Sequence, residues 1–178
     1  MKPGNHRREN DTMAETNLIA ESGKQDIVIS REFDAPPQDL VFKACTDPGG
    51  LVSQWWGGPK GVTTTVEKMD TRPGGMWRAV QRDAEGNEYA FHGVYHEVTP
   101  GRIVDTFEYD AMPGHVLLET ETLEDLGGGR TKLTDHLIFQ SVEDRDGMLQ
   151  AGSQEEMIEP LERLAGLLQS LKQAASAR

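Results

Sequence analysis

Cysteine is nearly missing from this chain. Cys45 is the only one among 178 residues, so no intrachain disulfide can form and a bridge-stapled fold is excluded. A lone thiol suits a reducing compartment. Positive charge is also scarce: 18 Lys and Arg stand against 30 Asp and Glu, a net charge of −12. The basic residues are scattered, and nucleic-acid binding needs them clustered against phosphates, so that class is set aside. No apolar run approaches the length of a membrane span. The stretch Met1 to Lys24 has no apolar core of the kind a secretory signal carries. By elimination the expected location is the cytoplasm.

What remains is a globular composition, 36% hydrophobic and 27% charged, in a chain of single-domain length. Residues 1–24 show no strong periodicity and are expected to be a flexible extension, with Leu18 and Ile19 available to dock on the domain. The domain is expected over 25–174, leaving 175–178 as a tail. Ile27, Ile29 and Phe33 alternate with polar neighbours, which predicts a strand over 26–34. Pro36 and Pro37 stop it and fit the first turn of a short helix bearing Leu40, Val41, Ala44 and Cys45. A second short helix reaches Trp55 and Trp56 and ends at Gly57-Gly58-Pro59.

A meander follows. Strands are expected at 62–71, 75–82, 88–98, 102–109, 115–124 and 130–139. Gly74-Gly75, Glu85-Gly86-Asn87, Pro100-Gly101, Pro113-Gly114 and Gly127-Gly128-Gly129 separate them as turn formers. Connections this short make antiparallel neighbours. From Val142 to about Ala174 the pattern is helical. Met148, Met157, Leu161, Leu164, Leu168 and Leu171 lie roughly on one face, Ser141 suits the N-cap, and Pro160 should bend or break the helix. One apolar helix across a long curled sheet cannot fill its hollow, so a cavity is expected between them.

Several runs carry a resemblance. Phe33-Asp34-Ala35-Pro36, Val41-Phe42, Thr46-Asp47-Pro48 and Trp55-Trp56-Gly57 open it. Arg72-Pro73-Gly74-Gly75-Met76-Trp77, Phe91-His92-Gly93-Val94-Tyr95 and Val142-Glu143-Asp144-Arg145-Asp146-Gly147-Met148 continue it. Together, over about residues 26 to 170, the chain resembles the START-like (SRPBCC) superfamily, in the branch of homologues of the activator of the heat-shock protein 90 ATPase. The resemblance implies an α+β helix-grip fold. In it a curved antiparallel sheet of about seven strands wraps a long C-terminal helix, with two short helices after the first strand. It implies a cavity rather than a reaction, because such proteins include ligand carriers, cyclases, dehydratases and co-chaperone domains. The eukaryotic co-chaperone has a separate N-terminal domain that binds the chaperone first. A 24-residue extension cannot be that domain, which weighs against heat-shock protein 90 as a partner.

The individual side chains each have a bland and a functional reading. Trp55 and Trp56, adjacent on a helix, point about 100° apart, so one should anchor the core while the other reaches the cavity mouth. Trp77 needs a partner for its N–H if buried. On strand 88–98 one face carries Phe91, Gly93 and Tyr95 and the other His92, Val94 and His96, and the sequence does not say which looks inward. Gly93 among bulky neighbours suggests a close approach by another segment. His92 and His96 stand about 13 Å apart at strand rise, too far to share a metal, so no metal site is expected. Asp105, Glu108, Glu119, Glu121, Asp135 and His136 are expected mostly on the outer face of a very acidic protein. Glu119 and His136 are the candidates for an interior acid or base. Met112 and His115 flank a turn that would overhang the mouth. Gly57–Gly61 lacks phosphate-loop spacing, Asp144–Gly147 lacks a calcium-loop pattern, and Cys45 reads as inert packing.

The leading expectation is a binding module for a small hydrophobic or amphipathic molecule, lipid- or polyketide-like. Trp56, Trp77, Tyr95, Phe107, Met148, Met157 and Leu161 would line its pocket, and no cofactor is implied. The first alternative is a cyclase- or dehydratase-type enzyme using Glu119 or His136. The second is a co-chaperone-like interaction that stimulates the ATPase of heat-shock protein 90. The sheet's outer face or edge offers room for a homodimer, which the sequence does not decide.

Overall fold

Alternating burial along nearly every strand builds the sheet first. In the computed structural model, which describes residues 15–34 and 38–177, the elements in chain order are β1 (Asn17–Ile19), β2 (Asp26–Phe33), α1 (Gln38–Thr46), α2 (Val52–Trp55), β3 (Thr63–Met69), β4 (Met76–Arg82), β5 (Glu88–Thr99), β6 (Arg102–Tyr109), β7 (Leu117–Gly127), β8 (Arg130–Ile138), α3 (Val142–Ala151) and α4 (Gln154–Ser176). The strands form one open antiparallel sheet in the order β1-β2-β8-β7-β6-β5-β4-β3. The expected α+β architecture is present. The proposed helix entry at Pro36-Pro37 falls outside the described residues, as do residues 1–14.

Turn chemistry fixes the meander. Gly74, Gly86, Gly114 and Gly127–Gly129 all have positive φ, a region that costs other residues strain, and each lies between consecutive strands or, for Gly127, at the end of one. Register shifts at Val66/Lys68 in β3, Tyr95/Glu97 in β5 and Asp125/Gly127 in β7 interrupt the ladders. Such bulges bend a strand and re-aim its side chains.

Three features differ from the sequence reading. The sheet has eight strands, because Asn17–Ile19 pairs antiparallel with Val28–Ser30. Part of the stretch read as an extension is thus an edge strand, too short to show periodicity. The long C-terminal helix is two helices, and the break falls at Gly152-Ser153 rather than at Pro160. Ser153 starts α4 with a capping box: its hydroxyl accepts from the Glu156 amide, while the Glu156 carboxylate accepts from the Ser153 amide. Pro160 sits inside α4 without ending it. Ser141 caps α3 as expected, accepting from the Asp144 amide at 3.0 Å.

The third difference positions the site. The buried face of α4, Leu161, Leu164 and Leu168, packs toward α1, α2, β1 and β2. It joins Ile27, Ile29, Phe33, Val41 and Leu133 in the core. The helix therefore covers one end of the sheet, and the inner face of β4 to β7 is left to α1, α2, α3 and the segment that follows α2.

Candidate functional site

Strand parity decides what faces that uncovered region. On β6, Ile103 is buried and Phe107 packs against the core, and Asp105 lies between them on the same face. On β7, Glu119 and Glu121 lie between buried Leu117 and Leu123. On β8, Asp135 lies between Leu133 and Leu137. Asp105 stands opposite Glu119, and Glu121 opposite Asp135. Four carboxyl groups from three adjacent strands thus share one inner surface. For Asp105, Glu121 and Asp135 the expectation of an outer-face position is overturned, because each sits two positions from an unmistakable core residue; Glu119 lies inside, as the candidate acid was expected to.

These groups meet low dielectric and one another. Burial raises Asp105, Glu119 and Asp135 above the usual carboxylate range. Glu121 is pushed up to about 8, chiefly by burial and then by the charge of Glu119. Glu119 and Asp135 influence each other directly, and Asp135 Oδ1 is buried without a partner. Asp105 accepts from the Trp77 indole N–H at 2.7 Å, which opposes the effect of burial. With Glu121 near 8, the cluster retains a proton at neutral pH, so it can both donate and accept hydrogen bonds.

One chamber opens on this surface and a second lies beyond Phe107. The inner one, ≈ 70 Å³, is bounded by Asp105, Glu119, Glu121, Tyr95, Cys45, Trp55, Trp56, Trp77 and Phe107, with Val66, Lys68 and Met69 of β3 at its side. The outer one, ≈ 660 Å³, is bounded by Phe91, Phe107, Tyr109, Leu117, Phe139 and Met148, with Met112, His115 and Asp144 at its rim. Phe107 borders both. The outer volume falls in the range of small-molecule pockets.

Trp56 borders the inner chamber beside Phe107. Its ring meets Trp77, Phe91 and Phe107 edge-on at centroid distances of 6.1, 5.7 and 6.3 Å. The two adjacent tryptophans have separated because Trp56 is already extended, one residue past the end of α2: Trp55 is buried and donates its N–H to the Ala44 carbonyl at 3.0 Å, whereas the Trp56 indole has no hydrogen bond among the described residues. The Trp56 backbone is held nonetheless. Arg163 of α4 donates to the carbonyls of Trp55, Gly57 and Gly58 at 2.9, 2.6 and 3.0 Å.

Gly93 keeps the inner wall together. A Cβ there would lie 1.7 Å from the Thr106 carbonyl oxygen and 2.6 Å from the Trp77 indole nitrogen, so only glycine allows that approach. Its presence between Phe91 and Tyr95 identifies the inward face of β5, which the sequence left open.

The residues proposed from sequence separate as follows. Trp56, Trp77, Tyr95 and Phe107 border the inner chamber, and Phe107 and Met148 the outer. Met157 and Leu161 border neither chamber and pack in the core, because α4 lies toward the other end of the sheet. Glu119 faces the inner chamber, but His136 faces away and pairs with Asp26 at 2.9 Å. Glu108 also faces outward, accepting from the Gly114 amide at 2.5 Å beside His92. Asp105, Glu121 and Asp135 were the residues missed. Burial holds the Cys45 thiol protonated, reinforced by the charge of Glu121, so it is a poor nucleophile. Among the described residues no group of three or more His, Cys, Asp or Glu is arranged to hold a metal ion, and no helix is long and apolar enough to cross a membrane.

The chain is similar to known bacterial structures over most of its length. A protein from Rhodobacter sphaeroides is 25% identical, with a TM-score of 0.77 over 88% of this chain and 99% of that one. Protein NE0264 from Nitrosomonas europaea is 28% identical, with a TM-score of 0.69 over 83% and 96%. The AHSA1 protein from Silicibacter pomeroyi is 26% identical, with a TM-score of 0.65 over 83% and 99%. Among curated proteins none matches. The family model described as "Activator of Hsp90 ATPase homolog 1-like protein" matches residues 34–169, the stretch that builds α1 through most of α4 and both chambers, and the chain belongs to that family.

Proposed function

We propose that this protein binds a small amphipathic molecule, with its apolar part in the outer chamber and its polar end toward the inner carboxyl groups. The observation that supports this most directly is the pairing of an apolar space of ≈ 660 Å³ with an acidic recess behind a shared wall residue, Phe107. Trp56 is the movable partition in this reading, since its indole has no hydrogen bond to hold it beside Phe107. Met112 and Met148 at the outer chamber adapt to guests of varied shape. Native mass spectrometry of protein purified from its own host, followed by thermal-shift assays with a lipid and polyketide library, tests the reading. A co-purified small molecule or a saturable upward shift supports it. Absence of both overturns it.

The second reading is an enzyme of the cyclase or dehydratase kind, favoured by one observation: Glu119 and Glu121, both raised by burial, border the cavity. A neutral carboxyl group there could protonate a bound carbonyl, and its conjugate base could remove a proton from the adjacent carbon. Turnover of a bound polyketide that disappears in Glu119→Gln would establish it. The co-chaperone role has only the family's description behind it.

A further inference from the structure

Resting on the binding reading above, we infer that the inner chamber seats a primary ammonium group, so that the guest is an amine-bearing amphiphile. The recess is built from acceptors without a cation. None of Asp105, Glu119, Glu121 and Asp135 forms an ion pair with a basic side chain among the described residues. An independent sign of a missing partner is Tyr95. It is 6% exposed and borders the chamber, yet its hydroxyl makes no hydrogen bond among the described residues. A buried tyrosine hydroxyl ordinarily has a partner. Asp105, 7% exposed, uses one oxygen for Trp77 and leaves the other without a hydrogen bond.

An ammonium group supplies three donors, matching the Tyr95 hydroxyl, the free Asp105 oxygen and Glu121. The indoles of Trp56 and Trp77 border the same recess, and an indole π face attracts a cation. At ≈ 70 Å³ the chamber exceeds the ~10–15 Å³ that one water molecule requires, enough for a terminal aminomethyl group but not for a bulky head. A carboxylate or phosphate head would instead meet three acidic groups, Asp105, Glu119 and Glu121.

Other charged groups packed around the recess do not fill the seat. Lys68 on β3 borders it but is exposed and makes no ion pair. Arg31 on β2 is committed to Glu162 of α4 and to Thr16. Cys45 on α1 is a protonated thiol. Entry of a cation would therefore displace protons from the carboxyl groups, and binding should tighten as pH rises from 5 to 8.

The experiment compares octylamine, octanol and octanoate, which share a tail and differ in head, by calorimetric titration of the full chain in two buffers of different ionisation enthalpy. Octylamine should bind about tenfold or more tighter than octanol, with proton release, and octanoate most weakly. Glu121→Gln should erase most of that preference, whereas Glu124→Gln, an exposed carboxylate on the same strand, should leave it intact. Should Glu121→Gln fold poorly, Tyr95→Phe, which removes only a hydroxyl, should weaken octylamine several-fold and leave octanol unchanged. Equal affinity for amine and alcohol overturns the ammonium seat while leaving the binding reading standing. Failure of all three ligands overturns the binding reading itself. An equal loss in Glu124→Gln and Glu121→Gln overturns the seat in favour of general attraction to an acidic surface.

Discussion

Asp105 and Glu119 face each other directly across β6 and β7, two carboxyl groups on the inner side of a sheet where the pattern calls for apolar residues. Directly opposed side chains on a sheet have Cβ atoms about 5 Å apart, so both cannot ionise there without large repulsion. The arrangement is costly for folding at high pH and useful only if something is to be met by it.

The sign of the pH dependence follows. The folded protein holds protons on these carboxyl groups at pH values where the unfolded chain has released them. Their contribution is then fully present below about pH 4, the unfolded range, and is lost as pH rises through the raised folded values, about 8 for Glu121. Denaturant unfolding between pH 4 and 9 should show stability falling with pH over this window. Glu121→Gln, an amide that cannot ionise, should flatten the fall, and a stability that rises across the window would contradict the cluster's protonation.

Gly93→Ala should cost about 3 kcal/mol, because the new methyl group would collide with the Thr106 carbonyl and the Trp77 indole. Loss of the Trp77–Asp105 hydrogen bond should accompany it, visible as a change in tryptophan fluorescence. Wild-type stability would show that β5 and β6 can part without penalty.

The adjacent tryptophans should separate in their effects. Trp55→Ala removes a fully packed indole and should destabilise by about 3–5 kcal/mol. Trp56→Ala removes the half-buried partition and should cost far less while enlarging the space open to an apolar dye, measured as tighter dye binding. Equal destabilisation by the two changes would place Trp56 in the core.

Replacing His136 by Asn should leave any ligand affinity within about twofold and lower stability by less than about 1 kcal/mol, since its pair with Asp26 is on the solvent side. Glu119→Gln, on the cavity side, should alter ligand affinity. Parallel titrations of the two variants check the assignment.

Much of this was legible because turns and parity are local. The glycines between strands and the alternation around Ile27, Ile29 and Phe33 require only neighbours along the chain. The carboxyl cluster was legible too, in principle, since Asp105 is spaced by two from Ile103 and Phe107. It was passed over because burying four acids conflicts with the hydrophobic expectation for such positions. The capping box Ser153-x-x-Glu156 likewise marked the helix break, but Pro160 gave a stronger local signal. The placement of α4 could not be read at all. Leu161, Leu164 and Leu168 present the same apolar stripe whether they meet a cavity or a packed core, and only long-range packing against β1 and β2 decides.

That placement gives the molecule two separable jobs. Stability rests on α4 with β1, β2 and α1, while the walls of the two chambers come mainly from α2 and the segment after it, from α3 and from the sheet's far half. Relatives could exchange residues around Trp56 or Met148 and acquire a different preference without touching the leucines that hold the domain closed. Arg163 is the exception: by fastening three carbonyls of the tryptophan segment to α4, it ties the part free to diversify to the part that cannot.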